Sequence, residues 1–189
     1  WPRLSQLMKD YPDINIELRV DNGLTDIVGQ RLDAGVRLGE HLDQDMIAVP
    51  LMPPLRMLVF SSPEYFAEHG VPQEPEDLVQ HNCINFRLPS FGGLYTWEFE
   101  KDGREINVKV PGQLVFNTSS LILKAALQGN GIGYLPADML GPHIANGSLM
   151  QVLDEWCPHF PGYHLYYPNR RDPSPAFRKV VEALRLKSQ

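Results

Sequence analysis

Two arginines and a run of hydroxyl side chains stand where this sequence passes from strand-like to turn-like residues, an arrangement suited to capturing a small carboxylate. Four polar clusters carry it: Asp21-Asn22-Gly23, Arg37-Leu38-Gly39, Phe86-Arg87 and Asn117-Thr118-Ser119. Arg37 and Arg87 offer planar, permanently charged forks that match a carboxylate. Asn117, Thr118 and Ser119 precede an apolar run at helical spacing, so the hydroxyls and the open backbone N–H groups of a helix start can both donate to an anion. Asn22 adds a side-chain amide, Leu38 and Gly39 complete the cluster around Arg37, and Phe86 or Tyr134 would supply an apolar wall. A plainer reading competes with this one at the level of sequence. Each arginine could pair with a structural acid such as Asp33, Glu40 or Asp45, while the polar turns merely cap.

Other chemistry finds less support. Gly129-Asn130-Gly131-Ile132-Gly133 lies between a helical pattern and a following strand. A phosphate-cradling loop needs the reverse order, strand then turn then helix. No Gly-x-Ser-x-Gly elbow, Walker loop or His-Glu-x-x-His motif occurs. His81-x-Cys83 and Cys157-x-His159 form mirror-image pairs, yet their spacing departs from familiar zinc sites, and Cys83 opens an apolar strand. His41, His69, His143 and His164 have no carboxylate or serine at a meaningful offset. The sequence therefore predicts no catalytic residue, no metal site, no cofactor and no enzymatic activity.

The elements that must hold the four clusters follow from periodicity. Leu4, Leu7 and Met8 predict a short helix stopped by Tyr11-Pro12. Ile14, Ile16, Leu18 and Val20 alternate with polar residues and predict a strand over 14–20. Leu24, Ile27, Val28 and Leu32 then predict a helix, and residues 34–38 and 46–51 two strands. Residues 56–60 read as an apolar strand running into Ser62-Pro63-Glu64, which combines a cap, a first-turn proline and a first-turn acid for a helix ending at Gly70. Residues 72–78 suit a short helix and residues 83–86 a strand. A hairpin is predicted with Trp97 and Phe99 on one arm, Lys101-Asp102-Gly103 at the turn, and Ile106, Val108 and Val110 on the other. Strand 114–116, a helix to Gln128, strand 132–135, helix 136–144, strands 149–153 and 163–167, and a helix from Phe177 to Leu184 complete the chain. Helices alternating with strands predict an α/β fold with a largely parallel sheet.

Composition sets the outer bounds. The 189 residues are 43% hydrophobic and 21% charged, ordinary for a folded domain, and no apolar run approaches the length of a membrane span. A net charge of −6 argues against this chain gripping nucleic acid by itself. Two cysteines cannot make a disulfide framework, which fits a reducing cytoplasm. The chain opens on Trp1 without a Met, as would a piece of a longer protein or a chain that has lost a leader.

The order of several phrases is more specific than any one of them. They include Tyr11-Pro12-Asp13, Asp33-Ala34-Gly35-Val36-Arg37-Leu38-Gly39, Ser62-Pro63-Glu64-Tyr65-Phe66, His81-Asn82-Cys83 and Trp97-Glu98-Phe99. Ala125-Ala126-Leu127-Gln128-Gly129, Gly147-Ser148-Leu149 and Tyr166-Tyr167-Pro168 continue the series. In this order and spacing the chain resembles the effector-binding domain of LysR-type transcriptional regulators over nearly its whole length. The resemblance implies two Rossmann-like lobes joined by two crossover strands, as in type II periplasmic binding proteins. Lobe I would be residues 1–58 plus 163–189 and lobe II residues 59–162, with the four polar clusters converging on a cleft. It further implies a small-molecule effector, here an organic acid, and homodimers or homotetramers in which the helix near Leu4 to Met8 meets the helix Ser119 to Gln128 of a partner. A family member normally begins with a winged helix-turn-helix, a linker helix and a first strand, all absent from this sequence, and Leu7 stands where Phe is common. DNA binding is thus implied only through that missing N-terminal domain, in a cytoplasmic parent protein without membrane contact. A periplasmic-type solute receptor of the same fold is the alternative.

Overall fold

The computed structural model describes residues 1–21, 26–38, 45–88, 93–169 and 173–187. In chain order the first elements are α1 (Pro2–Asp10), β1 (Gly35–Leu38), β2 (Met46–Pro50), β3 (Leu55–Ser61), α2 (Pro63–His69) and a 3-10 helix (Pro75–Gln80). Next come β4 (Ile84–Phe86), β5 (Trp97–Lys101), β6 (Arg104–Val108), β7 (Leu114–Phe116), α3 (Ser119–Leu127) and β8 (Gly133–Pro136). The chain closes with α4 (Gly141–Ala145), β9 (Met150–Val152), β10 (His159–Phe160), β11 (Tyr163–Pro168) and α5 (Pro175–Leu184). These elements gather into two compact units, one from the described residues of 1–54 and 160–189, the other from the described residues of 55–159.

In the first unit β11 lies between β1 and β2, antiparallel to both. Leu165 pairs with Val36 on one side and Val49 on the other. Val49, Leu165, Tyr167 and Val181 form a small core, closed by Phe177 standing edge-on to Tyr167 at 5.2 Å. Ser174 starts α5 by accepting the Phe177 N–H at 3.1 Å, with Pro175 in the first turn. The Arg3 guanidinium donates to the carbonyls of Leu51 and Leu184, both at 2.7 Å, and so satisfies the open end of α5.

Two expectations fail here. Residues 14–20 form no ladder with any described strand, and Leu18 and Val20 are 64% and 93% exposed. Alternation gives a segment one apolar face, but a strand also needs a hydrogen-bonded neighbour. The helix expected over 24–32 is a single turn where it is described. Asp26 caps it by accepting the Val28 and Gly29 N–H groups, and Arg31 ends it in the left-handed region at φ 56°.

The second unit is built around β3, with β8 on one side and β9 on the other, both antiparallel. Val59 is opposite Tyr134 in one neighbour and Val152 in the other, and it is fully buried. Ser62 caps α2 as its sequence predicts, accepting the Tyr65 N–H at 3.2 Å. The hairpin of β5 and β6 turns through Asp102 and Gly103, both at positive φ, the geometry that matches strand twist. Its inner face buries Trp97 and Phe99 against the Tyr134 ring, at 5.0 and 5.5 Å between centroids. β1–β11, β11–β2, β3–β8, β3–β9 and β5–β6 are antiparallel whereas β4–β7 is parallel, so the expected largely parallel sheet is corrected to a mixed one.

A knot centred on Asn82 sets where β4 begins. Its Oδ1 accepts the Gln113 N–H at 3.0 Å, its Nδ2 donates to the Asn130 carbonyl at 2.9 Å, and its own carbonyl accepts the Ile132 N–H at 2.9 Å. Gly131 holds φ at 144°, and a Cβ there would lie 2.5 Å from the Asn82 carbonyl oxygen, so only glycine fits. This anchor fixes β4 at one end and leaves its other end facing the start of α3.

Candidate functional site

The carboxyl ends of β4 and β7 lie side by side, with Phe86 opposite Phe116. The Arg87 N–H donates to the Phe116 carbonyl at 2.7 Å, carrying the pairing one residue beyond the strand and setting Arg87 beside the exit of β7. Three residues after Phe116 the chain enters α3, so Asn117 and Thr118 turn from the strand end directly into a helix start. This is the strand-end, helix-start arrangement in which open α/β sheets take ligands.

Thr118 is the N-cap of α3, with extended backbone at φ −141° and ψ 129°, yet its side chain caps no backbone N–H. Its Oγ1 instead lies 2.8 Å from the Ser120 Oγ. The first turn of α3 holds no acid. Neither the Thr118 side chain nor a first-turn acid caps this nine-residue helix, and of its opening N–H groups that of Leu121 donates to the Thr118 carbonyl at 3.3 Å. Arg87, Asn117 and Ser120 are exposed, and Phe86, Thr118 and Ser119 are half-buried. The arrangement can hold a carboxylate by several donors at once.

Five of the predicted site residues, Phe86, Arg87, Asn117, Thr118 and Ser119, thus come together at one end of the second unit. Ser120 joins them and was missed by the sequence reading, although a third hydroxyl in the Thr-Ser-Ser run was its signal. Arg37 and Leu38 lie on β1 of the first unit, where the Arg37 guanidinium sits 5.4 Å above the centroid of the Tyr166 ring. Asn22 and Gly39 lie outside the described residues. Tyr134 is in the core of the second unit, 5% exposed, with its hydroxyl donating to the Glu98 carbonyl at 2.6 Å. Burial pushes its pKa well above the usual tyrosine value.

The two cysteines are packing groups. Cys83 and Cys157 are buried, their thiols directed at the carbonyls of Leu78 and Leu153 at 3.6 and 3.4 Å. Desolvation pushes their pKa values up to about 12 and about 11.

A family model for the LysR substrate binding domain matches residues 1–188. The chain belongs to this family. Its LysR-type relatives include a putative transcriptional regulator of Pseudomonas aeruginosa, 58% identical over 97% of this chain and 60% of that protein. The regulator PgrR of Escherichia coli K12 is 43% identical over 98% of this chain and 62% of its own length. The chain thus spans about three-fifths of these LysR-type relatives. Among solved structures, the regulatory domain of CrgA from Neisseria meningitidis superposes with a TM-score of 0.82 at 28% identity, covering 97% of this chain and 88% of that one. The regulatory domain of AphB from Vibrio vulnificus gives 0.81 at 26% identity, covering 97% and 89%. The fold is accordingly the α/β fold of LysR regulatory domains, similar to type II periplasmic binding proteins. These relatives are named as regulators and the family is not enzymatic, which also disfavours the solute-receptor alternative.

Proposed function

We propose that this LysR-type domain senses a small organic acid, and that the acid binds at the carboxyl ends of β4 and β7 against the start of α3. The observation that carries the reading is the N-cap of α3. Thr118 turns its hydroxyl to Ser120 rather than capping the backbone, so an anion at the helix start would meet the Ser119 and Ser120 N–H groups without displacing a Thr118 cap. Arg87 would neutralise the acid, Asn117, Thr118, Ser119 and Ser120 would donate hydrogen bonds, and Phe86 would face its carbon skeleton. Arg37 and Leu38, with Asn22 and Gly39, are proposed as further contacts on the family resemblance alone, and Tyr134 as support behind the hairpin.

In the longer parent protein the effector would shift an equilibrium between regulator conformations by its difference in affinity for them. That parent would act in the cytoplasm, bind DNA through an N-terminal domain, and assemble as a homodimer or homotetramer. Met8 on α1 and Leu121 on α3 are 43% and 42% exposed, which supports a role for these helices in assembly. The two compact units would correspond to the two lobes of the family fold.

The test is a thermal-shift screen of aliphatic and aromatic mono- and dicarboxylates, each paired with its neutral amide. An acid that raises Tm where its amide does not, with the shift lost in Arg87→Ala, supports the reading. Equal shifts from acid and amide, or a full shift in Arg87→Ala, would refute the carboxylate assignment.

A further inference from the structure

At the end of β4 remote from the acid site, two histidines flank one buried tyrosine. The Tyr65 ring lies 4.6 Å from that of His69 and 6.0 Å from that of His81, centroid to centroid. Tyr65 is 4% exposed, and its hydroxyl accepts the Asn82 N–H at 3.0 Å. That hydroxyl has one proton to give and two acceptors at the same distance: His81 Nδ1 at 3.4 Å and the Asn82 carbonyl at 3.4 Å. A neutral His81 carrying its proton on Nε2 can accept it; a protonated His81 cannot. The Asn82 carbonyl is the one that already receives the Ile132 N–H, in the knot that joins β4 to the loops around Gln113 and Asn130.

We propose that His81 is a proton-sensing switch acting through Tyr65 on the Asn82 knot. When His81 Nδ1 takes a proton from solvent, its new N–H donates to the Tyr65 oxygen. The Tyr65 O–H then rotates onto the Asn82 carbonyl, which accepts it beside the Ile132 N–H. The Tyr65 oxygen has two lone pairs, enough for the His81 and Asn82 N–H groups together, so every proton in the charged state has an acceptor. The Asn82 carbonyl also has two lone pairs and can hold both donors, but two donors drawing on one oxygen each bond it more weakly than one alone. Its bond to the Ile132 N–H therefore weakens, and the parallel contact between Cys83 and Ile132 loosens.

The surroundings set the pH range. The groups acting on His81 are Tyr65 and His69 from α2 and Asp77 from the 3-10 helix, while Cys83 acts on Tyr65. Burial chiefly, and His69 secondarily, hold the His81 pKa below the usual histidine value, while Asp77 opposes them weakly. The Asp77 carboxylate is engaged by the Gln73 and Glu74 N–H groups, and Glu68 lies 3.8 Å from His69 Nε2. Folding therefore favours neutral His81. The unfolded chain takes up the proton first as pH falls, so the stability that this neutral ring contributes is complete above pH ~6.5 and is lost below it, through the lower folded pKa. The switch is independent of the effector reading, since none of its groups belongs to the acid site.

The test follows the His81 ring proton by NMR from pH 8 to 5 and measures amide-exchange protection of Ile132 over the same range, in the wild-type chain and in His69→Asn, Tyr65→Phe and His81→Asn. The expected result is a severalfold fall in Ile132 protection tracking the His81 titration. His69→Asn should move both to higher pH together, and Tyr65→Phe should leave the His81 titration but abolish the change at Ile132. His81→Asn should hold Ile132 protection constant. Ile132 protection that ignores the His81 titration in the wild type, or that follows it equally in Tyr65→Phe, overturns the proposal.

Discussion

Replacing Ser119 by proline isolates the donor on which the acid site depends. Ser119 is the first residue of α3, where the N–H has no intrahelical partner and proline is favoured. Thr118 before it already holds φ −141° and ψ 129°, inside the extended region that a following proline requires. The variant should therefore keep its unliganded stability to within about 0.5 kcal/mol, as for substitutions that break no contact. It loses one N–H aimed at the anion. A hydrogen bond to a charged group contributes about 1.5–3 kcal/mol, so binding should weaken about 10- to 150-fold. An acid at 100 times its Kd stabilises the wild type by about 2.7 kcal/mol, or about 5–11 °C in Tm for a chain of this size. After a 100-fold loss the same concentration gives about 0.4 kcal/mol and a shift of about 1–2 °C. Differential scanning fluorimetry and isothermal titration calorimetry read both quantities, using an acid found in the screen. Ser119→Ala keeps the N–H and removes only the hydroxyl. A full ligand shift in Ser119→Pro, or an equal loss in Ser119→Ala, would show that the backbone donor does not hold the acid.

Other expectations concern the scaffold. Asn82→Ala removes an acceptor from Gln113 and a donor to Asn130, so urea unfolding should show a loss of about 1–3 kcal/mol, the net value of two hydrogen bonds whose remaining partners can turn to water. Gly131→Ala should cost more than Gly103→Ala in the same assay, because both glycines have positive φ but only Gly131 faces a backbone oxygen, whereas Gly103 faces open space. Arg56 donates to the Cys157 carbonyl at 2.7 Å and pairs with Asp154 at 2.8 Å with its side chain 24% exposed; Arg56→Met should lower stability by about 1.5–3 kcal/mol. Ellman's reagent should label neither cysteine in the native chain and both after denaturation, since both thiols are buried and hold their protons.

Local rules were legible wherever a few neighbouring residues determine the outcome. Ser62 with Pro63 starts α2, Ser174 with Pro175 starts α5, and Asp102-Gly103 turns the hairpin, each through chemistry within one turn of chain. The strand expected over 14–20 shows the limit of such rules. Its alternation is perfect, but its existence depends on a ladder partner that its own residues cannot specify. Strand direction failed for the same reason, because an alternating pattern of elements records their order and not how neighbours pair.

The same division runs through the candidate site. Residue types alone marked Arg87 and the Asn117-Thr118-Ser119 run as anion chemistry, since guanidinium forks and helix starts carry that capacity wherever they occur. That Phe86 stands opposite Phe116 was decided by β4 pairing with β7, a contact between segments some thirty residues apart, whereas Thr118 meets Ser120 within its own turn of chain. Tertiary packing also placed Tyr134, whose ring stacks on Trp97 and whose hydroxyl is tied to Glu98. It likewise brought His69 and His81 to the two sides of Tyr65. The sequence by itself determined the family, the caps, the turns and the kinds of donor available. Only the folded structure decided which donors meet, because hydrogen-bond direction and burial are properties of pairs of segments and not of either one alone.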